Sequence, residues 1–400
     1  MEPRLKFGVF FIEGLNSLST TYFFYYVYSL MHEHYGFDAL HNFLLAALVG
    51  SFYMVFAIYG GRFAQKRGYL LALRLGAAIM TIAWAAECFV SSVLPVIVLI
   101  LIANLGMSLT WPALEALVTE GESSRRIPRL LGIYNVTFAI TGAFAFFTGG
   151  AMVQHWGWNA MFLVPAAAGV IEYSVAVWIE KNAPKQNLEN LRAEEARTEE
   201  KVAPSVKSPI PPKTFLKMAW VANPLAYLAI NTIVSVIPTL AARLHVDTMM
   251  SGFVCSVWMF VRSGAFVLFW LWPKWHYRFR FLAWCFFIMV AAFAMILLVP
   301  NLWVLVIAQA FFGVAVGLIY YSSLFYSMDV GEAKGENGGI HEGVIGAGNC
   351  AGPAIAAGGL YVSGNLSSAA WMVVCLLLCG LGVLFWFRFF SRTQNERQTT

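Results

Sequence analysis

Asn337–Gly359, reading NGGIHEGVIGAGNCAGPAIAAGG, is the stretch that decides the fold. A polar, glycine-rich loop leads to His341 and Glu342 at the mouth of an apolar helix. That helix carries Gly343, Gly346, Gly348, Gly352, Pro353, Gly358 and Gly359. In water such a helix would not persist, because each Gly costs about 1 kcal/mol relative to Ala. In a bilayer the same small residues let helix backbones approach closely, and neighbours satisfy the carbonyl that a Pro frees. The stretch therefore reads as a membrane helix built to pack on another helix and to slide against it.

The rest of the chain agrees. Of 400 residues 60% are hydrophobic and only 12% charged, a balance soluble domains do not reach. Twelve apolar runs are long enough to cross a hydrocarbon core of about 30 Å. They lie near 5–30, 41–61, 70–91, 93–119, 129–154, 158–179, 214–243, 249–271, 280–299, 302–327, 341–363 and 367–390. The first follows Arg4 and Lys6 like a signal peptide. It is too long for one, lacks a small-x-small cleavage site and contains Glu13, so it reads as a retained span.

All of the 26 Lys and Arg except Arg243 and Arg262 fall on one side of this alternation. They sit at the N-terminus, in Arg62–Arg67, Arg125–Arg129, Lys181–Lys217 and Lys274–Arg280, at Lys334 and in the C-terminal tail. The positive-inside rule then makes both termini cytoplasmic, with the plasma (inner) membrane as the expected location. The net charge of +5 needs no nucleic acid to explain it. The six cysteines (Cys88, Cys255, Cys285, Cys350, Cys375 and Cys379) all fall inside spans, with neither disulfide nor zinc spacing. No phosphate-binding loop, zinc-protease helix, paired aspartates or serine dyad is present, so neither an ATP-driven pump nor a membrane enzyme is indicated; no cofactor or metal is expected.

One long polar segment divides the spans six and six. The expected organisation is a bundle over 1–180, a cytoplasmic linker over 181–213, a second bundle over 214–390 and a tail over 391–400. LENLRAEEARTEEK within the linker has helical charge spacing and suits the membrane surface, until Pro204, Pro209, Pro211 and Pro212 end it. It reads as a solvated tether or as a regulatory loop.

The loop after span two, GRFAQKRGYL (Gly61–Leu70), resembles the loop motif of the major facilitator superfamily in Gly61, Phe63, Lys66 and Gly68. Gln65 stands where that motif has Asp, and Tyr69 and Leu70 where it has basic residues. Span four runs out through WPALEALVTEGESSRR, which is similar to the family's run into the fourth loop, with an acid at Glu120. Span five resembles the family's glycine-rich antiporter motif only in Gly142, Gly149 and Gly150; Ala145-Phe146 replaces its Gly-Pro. The resemblance covers the whole chain. It implies an all-α fold of twelve transmembrane helices in two pseudo-symmetric six-helix bundles rocking about a central site; the two halves of this superfamily are a standard instance of such repeats. In that layout spans 1, 4, 7 and 10 line the centre, helped by 2, 5, 8 and 11. The expected partners are a small-molecule solute and protons, within membrane lipid, for a monomer.

An ion at a span centre costs about 2.5–3.5 kcal/mol on insertion scales and so needs a reason. Glu13 and Arg262 lie at similar depth on spans that border the expected cavity. They read as a titratable carboxylate and a fixed cation that pair when no substrate is bound, or as a structural ion pair, or as a Glu13 bonded to a neighbour such as Asn16. Glu87 and Glu172 read as structural carboxyls. Glu115, near the inner end of span four, reads equally as a latch or a cavity residue. Tyr22, Tyr25, Tyr26, Tyr320, Tyr321 and Tyr326 suit aromatic walls for an organic solute; an interfacial belt is the alternative for the span-one group. Asn231, between Pro224 and Pro238 on a span expected to kink, and Asn349 are candidate substrate donors or helix–helix hydrogen bonds.

Without Asp at position 65, the acid of a cytoplasmic latch falls to Glu342, which could meet Lys66 or Arg67 across the seam, with His341 adding pH sensitivity; alternatively both only cap the helix. The resulting expectation is a proton-coupled secondary transporter of a small organic solute, anionic or zwitterionic because of Arg262. Efflux of lipophilic cations, lipid flipping and a non-transporting receptor that kept the fold are the alternatives.

Overall fold

A computed structural model describes residues 3–120, 122, 126–183, 210–330 and 334–399, with backbone alone for 3, 328–330, 334–337 and 391–399. Arg125, Lys334 as a side chain and the linker segment from 184 to 209, with its expected surface helix, lie outside what is described. Six helices make the first half: α1 (Pro3–Tyr35), α2 (Ala39–Arg67), α3 (Tyr69–Glu87), α4 (Val93–Thr119), α5 (Ile127–Trp156) and α6 (Ala160–Asn182). The second half comprises α7 (Pro212–Ser235), α8 (Ile237–Arg243), α9 (Thr248–Cys255), α10 (Val257–Leu271), α11 (Phe279–Leu298), α12 (Leu302–Val330), α13 (Lys334–Ser363) and α14 (Leu366–Thr399). No strand occurs among the described residues.

Twelve spans account for these helices, because two spans are broken. Span seven is α7 plus α8, interrupted at Val236 (φ −107°, ψ 8°) just before Pro238. Pro224, expected to share in the kink, instead lies inside continuous helix. Span eight is α9 plus α10, interrupted at Ser256. Ten of the twelve are long and apolar enough to cross a membrane on composition alone. The other two, α1 and α13, carry the most polar interior residues, Glu13, Asn16 and a Ser/Thr run on one and His341, Glu342 and Asn349 on the other.

Pseudo-symmetry is visible in the pairings. Span 1 packs on 5 and 6, 2 on 4, and 3 on 4 and 6; span 7 packs on 11 and 12, 8 on 10, and 9 on 10 and 12. Two seams join the bundles, α2 against α13 and α5 against α9 and α10, and these pairs (2 with 11, 5 with 8) are equivalent under the same repeat. Ion pairs tie helix ends within the first bundle: Lys6 to Glu122 at 3.2 Å and Arg74 to Glu180 at 2.7 Å. Lys6 also donates to the Leu117 carbonyl at 3.3 Å, which fixes the inner end of α1 to α4. Large apolar side chains such as Phe89, Trp303 and Tyr361 stay exposed around the outside, as a lipid-facing surface requires.

Glycine explains the α2/α13 seam. A Cβ at Gly346 would stand 2.5 Å from both Cα and N of Met54, and one at Gly339 would stand 3.1 Å from Gly61 Cα. Gly50 faces the backbone of Asn349 and Cys350 in the same way. The two backbones therefore touch from mid-membrane down to the cytoplasmic end. Packing this close also extends the helix. Asn337–Ile340, expected as a loop, belong to α13, which starts at Lys334, so His341 and Glu342 sit two turns inside the helix and cap nothing. Gly68, the single residue between α2 and α3, has φ 108°, a conformation that favours glycine at that motif position.

The loop between α10 and α11 is anchored by rings. His276 stacks on Phe325 of α12 at 3.9 Å and 13°, with Trp275 edge-on at 4.2 Å. Burial among these rings pushes the His276 imidazole down to about 4. An unfolded chain takes up a proton near the ordinary value of about 6.5 that the native loop refuses. Stability is therefore lost as pH falls from about 6.5 towards 4, and the loss levels off below that. His276→Phe is expected to flatten this part of the melting-temperature-versus-pH curve in detergent; an unchanged slope would remove His276 as its source.

Candidate functional site

A cavity of about 150 Å³ lies between the bundles. Its wall is drawn from α1, α2, α4 and α5 on one side and from α7, α10, α12 and α13 on the other, the spans implied by the family resemblance. Thr20, Tyr25 and Tyr28 line it from α1, Tyr53 from α2, Asn104 and Trp111 from α4 and Phe138 from α5. Tyr227 and Asn231, Met259 and Arg262, Tyr320, and Glu342 and Asn349 come from the other half. Its size suits a solute of roughly benzene scale, since an engineered cavity of about 150 Å³ holds benzene.

Arg262 dominates the wall. The residue is 3% exposed, and its guanidinium carbon lies 4.9 Å from the ring centroids of Phe138 and Trp258 and 5.9 Å from that of Phe266. Its Nε has no hydrogen-bond partner. Ring faces offset part of the desolvation, about 2 kcal/mol for a desolvated pair, but they do not neutralise a full charge. The expected pairing with Glu13 is not made. Glu13 is fully buried, away from the cavity wall, and neither carboxylate oxygen has a hydrogen-bond partner. It lies behind the wall, in electrostatic range of Glu342, Glu172 and Glu115. The reason is geometric: equal depth on two helices does not place two side chains on facing sides.

The remaining candidates divide. Asn231 Nδ2 donates to Asn349 Oδ1 at 2.5 Å, and this amide pair, Tyr320 and Glu342 all reach the cavity. Tyr320 is held by Phe138, Tyr227, Phe266 and His341. Asn16 is buried behind the wall, its carbonyl accepting from Thr20, and Tyr321 packs on Phe266 and Trp275 away from the cavity. Tyr22 and Tyr26 belong to no interfacial belt. Both are buried, and Tyr26 Oη donates to the Phe146 carbonyl at 2.6 Å, joining α1 to α5 near the outer end. Glu87 is buried on α3, and Glu172 accepts from Ser19 at 3.4 Å, as structural carboxyls do.

The expected contact of Glu342 with Lys66 or Arg67 is not made. Lys66, Arg67 and Gln65 are exposed, whereas Glu342 is buried and accepts from Tyr53 Oη at 2.5 Å. Helix α13 enters earlier than expected, so Glu342 faces the interior of α2 rather than its basic end. Glu115 turns inward as well, within 4.8 Å of donor atoms of His341 and Glu342. Glu120 ends α4, and Gly61 packs under Gly339. Sequence reading missed Tyr53, Phe138, Trp258 and Tyr227, which carry no signal in apolar runs; Asn104, a lone amide inside span four, was the one visible clue.

Two bundles of six spans, enclosing at their interface a mostly apolar cavity with an amide pair, a carboxyl and one guanidinium on its wall, have the form of a membrane transporter. The family model described as Major Facilitator Superfamily matches residues 9–353, and the chain belongs to that superfamily. No curated protein sequence matches it. Among solved structures it is similar to the human organic anion transporter MFSD10 (TETRAN), with a TM-score of 0.71 over 96% of this chain and 100% of that one, at 14% identity. At that identity the likeness concerns the fold.

Proposed function

We propose that the protein moves a small organic anion or zwitterion across the membrane by alternating access, coupled to protons. The observation that carries this reading is Arg262, a buried cation without a carboxylate partner among the described residues, on the wall of the inter-bundle cavity. A carboxylate or phosphate-like group would complete it bidentately, while the flanking rings accept an apolar body and Asn231 and Asn349 offer polar contacts. The anion transport attributed to MFSD10 agrees in class.

Two glycine-lined seams support the rocking step, because helices in backbone contact slide without disengaging long side chains. Glu13 supports the proton. A carboxyl with no partner at this depth is expensive to ionise, so taking up or losing a proton there is a large energy change available for coupling.

A thermal-shift screen of small carboxylates and zwitterions on purified protein, followed by flux at imposed pH gradients, tests the reading. Stabilisation by anions and gradient-driven uptake are expected; stabilisation by lipophilic cations alone would reverse the substrate class. Glu13→Gln is expected to keep solute binding and to remove the pH-gradient dependence of uptake. Unaltered dependence would exclude Glu13 as the proton carrier.

A further inference from the structure

Glu115, His341 and Glu342 form a cluster that anion transport does not use. One donor atom from each lies within 4.8 Å of the other two, and all three residues are buried, at 1%, 3% and 6% exposure. Both carboxylate oxygens of Glu115 and Nε2 of His341 have no hydrogen-bond partner. Two carboxyls this close in a low-dielectric setting either share a proton or take a compensating cation, and a bound metal ion can replace that proton. Lys66 and Arg67, at the end of α2, do not provide the cation, since both are exposed.

We propose that this cluster binds a first-row divalent cation, of which Zn²⁺ and Mn²⁺ are the test cases, and that the ion clamps the cytoplasmic seam shut. The donor set is two carboxylates and an imidazole, which suits such ions better than hard oxygen-only cations. Donors about 2.0–2.2 Å from a tetrahedral ion sit about 3.3–3.6 Å apart, a contraction within reach of side-chain rotation. Tyr53 already holds Glu342 by one oxygen, as an outer hydrogen bond orients a ligating carboxylate. Glu115 belongs to the first bundle and His341 and Glu342 to the second, so one ion bridges the two halves. Glu342 also lines the cavity, which gives the ion a route in.

The test needs no solute, so its failure leaves the transport reading standing and the failure of that reading leaves this one standing. Full-length protein in detergent is stripped with chelator and titrated with ZnCl₂ or MnCl₂. Expected are one ion per chain, a higher melting temperature, and binding weakened at least tenfold in Glu115→Gln and in His341→Leu and also by acidification, as protons compete for the ligands. No saturable binding of either ion, or binding unchanged in both variants, would overturn the proposal. Should both variants fail to fold, zinc-edge X-ray absorption decides. It is recorded on protein whose exposed His32, His34, His41, His155 and His245 are replaced by Gln. One imidazole with oxygen donors supports the site; a sulfur shell or an all-oxygen shell overturns it.

Discussion

Arg262→Ala is expected to abolish measurable binding of the transported anion while leaving the protein folded. Truncating one side of a buried, hydrogen-bonded charge pair costs about 2–5 kcal/mol, which is a loss of roughly 30-fold or more in affinity. The fold should tolerate the change, because Arg262 makes no ion pair among the described residues and the rings of Phe138, Trp258 and Phe266 stay packed around the position. Arg262→Lys should fall between the two. It keeps the charge but loses the planar fork and the fit against two ring faces, so recovery is partial. Isothermal titration with the anions found in the screen measures both. Full affinity in Arg262→Ala would take the anion site out of this cavity.

Gly346→Ala is expected to destabilise the protein, although alanine is the better helix former. Its Cβ meets Met54 backbone atoms at 2.5 Å, and backbone cannot step aside as a side chain can. Overpacking of this kind costs about 1–3 kcal/mol. Gly358→Ala, in the same helix, has nothing within 4 Å of the added carbon and should be neutral or gain about 0.4–1 kcal/mol. The melting temperature in detergent should therefore fall in Gly346→Ala and hold or rise in Gly358→Ala. Equal shifts would mean that α2 and α13 do not meet as closely as described, and the rocking seam would lose its basis.

Much of this was legible in residues. Twelve apolar runs and the glycine density of α13 led to the two-bundle helical architecture, because hydropathy acts on the chain one span at a time. Arg262 stood out for the same reason: a charge in an apolar run is visible without knowing its neighbours. Facing was not legible. Glu13 and Arg262 share a depth but not a side, and Glu342 meets Tyr53 and lies beside Glu115 rather than Lys66 because α13 begins a turn and a half or more before the glycines suggested. Helix ends in glycine-rich sequence are set by the partner helix, here α2, and a partner cannot be read one span at a time. The aromatic part of the cavity wall was hidden for the opposite reason, since Phe138 and Tyr227 look like any apolar-run ring until the bundles are assembled.

Solute counterflow in proteoliposomes tests most directly whether two bundles carry an anion past Arg262. Vesicles preloaded with an unlabelled small carboxylate from the screen should accumulate the labelled form transiently, with saturation, and Arg262→Ala vesicles should not. Equal accumulation in both, or none from folded protein with any anion that stabilises it, would contradict the mechanism.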